Sequence, residues 1–246
     1  MPVMPEMEEA MKRRWVSDCF AALLPLAAVP AFCACGAVPD SPLTIAAARG
    51  DDAEIERLLA SGAGPCAADG SGWAPLHWAA RNGRLAAIRI LVIGGAGVND
   101  PDVGANGWTP LMHAAHLRRA EAVELLLALG ADPDARPRGD GATALIMAAG
   151  YGDLRSVRAL LGAGADPRLE GPGRVNALWA AAGGGALSDI TDGPPLGTCF
   201  PQVVSELRQA APDLKLAPGA ATAALGWLAR TGECSSLLSS LPRRAD

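Results

Sequence analysis

Aromatic side chains are scarce in this chain: one Tyr, three Phe and six Trp among 246 residues. Any core must therefore be filled mainly by small aliphatic side chains. There are three histidines. A structural zinc site needs three or four ligands. His113 and His116 stand three apart, a spacing one helix can bring to one face, but no third Cys or His lies near them in sequence. No metal or other cofactor is therefore expected. No Gly-x-Ser-x-Gly, phosphate-binding loop or zincin motif occurs, so catalysis has no motif to rest on. The paired carboxylates Asp51-Asp52 read as a solvated turn. Lysine is nearly absent, two against nineteen arginines, and the formal net charge is −5. No basic stripe is visible along the chain, so nucleic-acid binding has no electrostatic footprint.

What is present is repetition. Ser41-Pro42-Leu43-Thr44-Ile45-Ala46-Ala47 is echoed by Ala74-Pro75-Leu76-His77-Trp78-Ala79-Ala80. Thr109-Pro110-Leu111-Met112-His113-Ala114-Ala115 and Thr143-Ala144-Leu145-Ile146-Met147-Ala148-Ala149 follow. Leu43, Leu76, Leu111 and Leu145 are 33, 35 and 34 residues apart. A period of this length marks stacked supersecondary units that share one core. Each unit is legible physically. Proline in a first helical turn loses no hydrogen bond. Ser41, Thr109 and Thr143 stand where a helix is capped. The Ala-Ala pairs let neighbouring helices approach closely. Gly50, Gly83 and Gly152 fall where the first helix must stop in a left-handed residue. Leu-Leu pairs at 58–59, 125–126 and 160–161 fill the shared core.

These motifs resemble ankyrin repeats. The Gly72-Trp73-Ala74-Pro75-Leu76-His77-Trp78-Ala79-Ala80 opening and the Gly130-Ala131-Asp132-Pro133 and Gly164-Ala165-Asp166-Pro167 closings carry the likeness. It covers residues 41 to about 172. The resemblance implies an all-α fold, a solenoid of helix-turn-helix units with β-hairpin loops. The expected repeats are 41–72, 73–107, 108–141, 142–175 and 176–216, the last with an inserted loop at 183–197. A degenerate cap follows at 220–241. The resemblance gives His77 a structural role at the hairpin base. It also implies a protein partner held by hairpin tips and by exposed positions of the inner helices. Carried over, these are Ser71, Trp73, Asn106, Trp108 and Asp140 on the hairpins, and Arg49, Arg81, Asn82, His116, Leu117 and Tyr151 on the inner helices. Trp73 and Trp108 recur at one position in consecutive repeats. They are expected to be exposed and to anchor the partner, since Trp, Tyr and Arg dominate interface energies. Stacking of Trp73 on Trp108 is the alternative. Trp78 and Trp179 are assigned to the core or the seam between repeats.

The N-terminus differs. Lys12-Arg13-Arg14 precedes an apolar stretch from Cys19 to Phe32, followed by Cys33-Ala34-Cys35-Gly36-Ala37. This is the layout of a secretory signal. Met11 is a second candidate start, since the stretch before it is acidic. A transmembrane anchor would need about 20 apolar residues, and Pro25 and Pro30 interrupt the run. Phe32-Cys33-Ala34-Cys35-Gly36 resembles a bacterial lipoprotein box with Cys35 lipidated. Ordinary cleavage after Ala37 is the other route. Either places residues 38–246 in a periplasm or on an envelope membrane, with 18 basic against 22 acidic residues. Cys66, Cys199 and Cys234 would then meet oxidising conditions. Cys199 and Cys234 begin successive C-terminal helices and are candidate partners. Equivalent positions of packed helices lie about 10 Å apart, and a disulfide needs Cα atoms within roughly 7 Å. An offset of two residues could close that gap, and two unpaired thiols remain the alternative. Cys66 is left odd.

The sequence thus points to a non-enzymatic, monomeric protein-binding module. Exported bacterial ankyrin proteins of this layout resemble toxin-neutralising immunity proteins or envelope proteins of oxidative-stress defence. A structural envelope lipoprotein scaffold without one tight partner, and a small-molecule or metal binder using the 183–197 loop, are the rival readings.

Overall fold

The computed structural model describes residues 40–214 apart from 105, 137–140, 172–173 and 185–198. The expected signal, the lipidation site Cys35, Asp140, most of the inserted loop, Cys234 and the 220–241 cap lie outside the described residues.

Within them the chain forms helix pairs. The inner helices are α1 (Pro42–Arg49), α3 (Pro75–Arg81), α5 (Pro110–His116), α7 (Ala144–Gly150) and the short α9 (Ala177–Trp179). The outer ones are α2 (Asp52–Ala60), α4 (Leu85–Ile93), α6 (Ala120–Ala128), α8 (Leu154–Gly162) and α10 (Pro201–Ala210). Each inner helix packs on the next inner helix, and each outer helix on the next outer one. This is the all-α solenoid that the repeat period implies. The fifth inner helix departs from the others: after Trp179 it widens into a π-helix over Ala180–Gly184.

The expected chemistry of the unit is in place. Ser41, Thr109 and Thr143 cap their helices by accepting hydrogen bonds from Thr44, Met112 and Ile146 N–H. Leu43, Leu76, Leu111 and Leu145 are buried, and so are all four Ala-Ala pairs. At the Ala-Ala positions only methyl groups stand between neighbouring inner helices, which lets them pack closely. Ile55, Ile88, Leu91, Leu126, Leu160 and Leu207 are the largest fully buried side chains of the outer helices. Each such side chain contributes about 1.5–3 kcal/mol.

The loops differ from the expectation of β-hairpins. Among the described residues no β-strand forms. Three hairpins are closed by a main-chain hydrogen bond instead: Asp69 N–H to Trp73 C=O, Asp102 N–H to Trp108 C=O, and Gly171 N–H to Val175 C=O, at 2.8–3.0 Å. In the first two of these loops the side chains of Asp69 and Asp102 accept further loop N–H groups.

A second register position ties each loop to the next. Asn99 donates to Gly130 C=O (3.1 Å) and accepts from Asp132 N–H (2.8 Å). Asp134 accepts from Asp166 N–H (2.9 Å). In the first repeat this position is Cys66, exposed, with one weak thiol contact of 3.6 Å to Gly95 C=O. Cys66→Asn can make the bonds that Asn99 makes. It is expected to raise stability by about 1 kcal/mol, read as a higher urea midpoint at unchanged slope. An unchanged midpoint would mean that the first loop does not share the register of the second.

The inner-to-outer turns hold Gly50, Gly83 and Gly152 at φ 74, 66 and 69°, as their positions predict. In the third repeat the same position is Arg118, at φ 56°. A side chain there costs about 1 kcal/mol relative to glycine.

Candidate partner-binding surface

A row of rings runs through the middle of the stack. Trp78 and Trp73 have centroids 4.7 Å apart, Trp73 and His113 4.4 Å, and His113 and Trp108 5.4 Å. Trp108 and His116 follow at 5.0 Å, then His116 and Tyr151 at 5.2 Å. The row joins the second, third and fourth repeats. It corrects the expectation of exposed anchors: Trp73 is 4% exposed, Trp108 8%, His116 4% and Tyr151 6%. Nor do the two tryptophans stack on each other, because His113 packs against both. The position is open in one repeat taken alone. It closes because the next repeat's inner helix brings His113 against it.

Two buried aspartates, which motif reading passed over, hold this row in register. Asp69 Oδ1 accepts from Ser71 N–H (3.0 Å), the Ser71 hydroxyl (2.5 Å) and Trp73 N–H (3.1 Å), and its Oδ2 accepts from Trp78 Nε1–H (2.7 Å). Asp102 repeats the pattern. It accepts from Gly107 N–H (3.1 Å), Trp108 N–H (3.0 Å) and His113 Nε2–H (3.0 Å). Trp78 and His113 occupy the same repeat position, two residues after Leu76 and Leu111. Each thus donates a ring N–H to its own hairpin carboxylate. The readable signal was an Asp three or five residues ahead of the hairpin glycine, Gly72 or Gly107.

His77 plays the structural role its position implies. Its Nδ1 accepts from Ala74 N–H (3.1 Å), which fixes the tautomer so that Nε2–H donates to Asp100 C=O in the next hairpin (3.0 Å). Burial, then the neighbouring His113, lowers its pKa to about 4. His113 is also shifted down, because burial outweighs the bond to Asp102. Burial pushes the Asp102 carboxyl up, but the His113 hydrogen bond and the two imidazoles outweigh it and its pKa is lowered. His113 and His116 do not converge on a common point. One reaches Asp102, and the other lies 3.1 Å through Nδ1 from the Tyr151 hydroxyl. Among the described residues no group of three potential metal ligands occurs.

The remaining expected binding residues separate by exposure. Arg49 and Asn106 are exposed; Ser71, Arg81, Asn82 and Leu117 are half-buried. Ser71 is committed to Asp69. Asn82 donates to Ala48 C=O (3.1 Å), across the seam. Arg81 lies over the Trp73 ring, 5.4 Å from its centroid. Cys199 is half-buried and disulfide-bonded, while Cys234 lies outside the described residues. Sequence reading also missed Arg84, Arg118 and Arg119, which the stack places along the inner-to-outer turns beside Arg49 and Asn82. They are exposed.

No curated protein matches the chain. The family model for ankyrin repeats (3 copies) matches residues 17–102 and 94–171. The match reaches back into the stretch that reads as a signal, and it stops before the fifth helix pair. Ankyrin repeats are generally protein–protein interaction modules. By the paired helices, the hairpin closures and this match, which together run through most of its length, the chain belongs to the ankyrin-repeat family.

Proposed function

We propose that this chain is a non-enzymatic protein-binding module of a bacterial periplasm or envelope. Its partner contacts are the exposed hairpin and turn residues rather than the tryptophans. The observation that carries this reading is the division of side chains within the repeat. Trp73, Trp78, Trp108 and Tyr151 are consumed in the seam, so the exposed polar and charged groups of Arg49 and Asn106 and their neighbours are left to face a partner. Export rests on the basic, apolar and small-residue layout of residues 12–37, with Cys35 as the lipidated residue or Val38 near the mature start. Among the described residues no helix is long and apolar enough to cross a membrane. Toxin neutralisation and oxidative-stress defence are the two roles this layout fits. A toxin-like reading frame beside the gene would favour the first.

Two measurements test the proposal. The full chain used as bait in an envelope extract is expected to retain one stoichiometric partner. Many weak partners would favour a scaffold, and none would sink the reading. Mass spectrometry of the protein from its native membrane fraction is expected to find a lipid-bearing Cys35 or an N-terminus near Val38. An intact Met11–Asp246 chain would instead establish an anchor.

A further inference from the structure

The turns between inner and outer helices bring together arginines that lie far apart in sequence. Arg84 Nε–H donates to Ala48 C=O at 3.2 Å, and its stem lies against Gly50. One repeat on, Arg119 Nε–H donates to Arg81 C=O at 3.2 Å, and its stem lies against Gly83. Each side chain therefore lies across the preceding repeat's turn. Arg118 stands next to Arg119 in the chain, and Arg49 directly precedes Gly50, against which the Arg84 stem lies. All four are exposed.

Five other arginines among the described residues meet carboxylates. Arg57 meets Glu54, Arg155 meets Glu121 and Glu124, Arg158 meets Glu206, Arg168 meets Asp213, and Arg174 meets Glu170. Among the described residues no carboxylate lies within ion-pair distance of Arg49, Arg84, Arg118 or Arg119. Asp51 and Asp52 bound the row in the first repeat, where Asp51 caps α2. Asp153 bounds it in the fourth, buried and bonded to Ser156. A second observation singles out Arg118. It takes a left-handed backbone where the three other repeats have glycine. Stability alone would place glycine there, and strain of this kind at an exposed charged residue points to use.

Guanidinium groups favour carboxylate and phosphate oxygens, which they can hold in bidentate pairs. One feature favours carboxylates on a polypeptide over nucleic acid. The rings that could stack on bases, Trp73, Trp108 and Tyr151, are buried, and single-strand binding relies on such stacking. We infer that Arg84, Arg118 and Arg119, with Arg49 at the row's end, form a docking surface for an acidic segment of a partner protein. At about 10 Å per repeat, the row spans an extended segment of roughly six residues. The inference rests on the protein-binding reading and adds the chemistry of the partner.

Fluorescence anisotropy of the full chain with a labelled octaglutamate peptide tests it. An octalysine peptide and an eight-nucleotide single strand of DNA serve as comparators. Octaglutamate is expected to bind, and to weaken as salt rises. Arg118→Gly is expected to raise Tm by about 2–4 °C while weakening octaglutamate roughly fivefold. That opposed pair of changes would not come from a merely structural arginine. Arg84→Gln combined with Arg118→Gly should remove most of the binding, and Arg89→Gln on α4 should change nothing. No octaglutamate binding by the parent, or unchanged binding by Arg118→Gly, would overturn the inference. DNA bound more tightly than the peptide would overturn it in favour of nucleic acid. A captured native partner that binds the arginine variants as well as the parent would overturn it too, and would leave the protein-binding reading standing. Failure to capture any partner, with octaglutamate binding intact, would count against that reading alone.

Discussion

Trp73→Ala is expected to destabilise the chain by about 3–5 kcal/mol, the usual range for deleting a buried tryptophan. The ring is closed in on several sides. Trp78 is on one side at 4.7 Å, His113 on another at 4.4 Å, and the Arg81 guanidinium lies above it at 5.4 Å. Truncation leaves a void at the seam of the second and third repeats, where His113 loses its neighbour. In a quasi-one-dimensional stack, damage at an internal interface also uncouples the two sides. Denaturation followed by far-ultraviolet circular dichroism should therefore show an earlier and broader transition. Ile93→Ala is the comparison: Ile93 is 86% exposed at the end of α4, and surface changes of this kind stay within about 0.5 kcal/mol. Equal midpoints for the two variants would show that Trp73 does not hold the seam. The partner-anchor role expected for it from sequence would then regain its footing.

The expected exposure of Trp73 failed for a definable reason. The 33–35-residue period, the leucines, the Ala-Ala pairs and the turn glycines are properties of one repeat, so one repeat's sequence discloses them. The burial of Trp73 is a property of two. It depends on His113 standing one helix further along, at a position where the second repeat has Trp78 and the fourth has Met147. The arginine row is hidden for a similar reason. Arg84 and Arg119 are 35 residues apart, and only the stack makes them neighbours. Arg118 was readable in principle, as the one non-glycine among four equivalent turn positions.

The same buried cluster makes the fold sensitive to acid. His77 uses Nδ1 as an acceptor for Ala74 N–H, and a protonated imidazole has no acceptor to offer. Protonation must break that bond or leave two donors facing each other inside the seam. His113 meets a parallel difficulty: its Nδ1 is buried without a hydrogen-bond partner, so a proton added there finds no acceptor. The sign of the effect follows from the folded state's low affinity for protons. His77 titrates at about 4 when folded against an ordinary 6.5, so between those values the unfolded chain binds more protons. The stability that neutral His77 contributes is fully present above pH 6.5. It is lost as the pH falls towards 4, by roughly 3 kcal/mol for this residue. His113 is shifted in the same direction and steepens the loss. Asp102, held ionised below its ordinary 3.8, adds a further loss only at still lower pH. Urea midpoints measured at pH 7.5, 5.5 and 4.5 should fall in that order. His77→Gln, which keeps a hydrogen-bonding side chain but cannot titrate, should start lower at pH 7.5 and fall less steeply. Nitrogen-15 NMR of the parent at pH 6 should find His77 neutral, with the proton on Nε2. A midpoint that holds steady from pH 7.5 to 4.5, or a His77 imidazole already charged at pH 6, would show that the seam carries protonated histidines without strain.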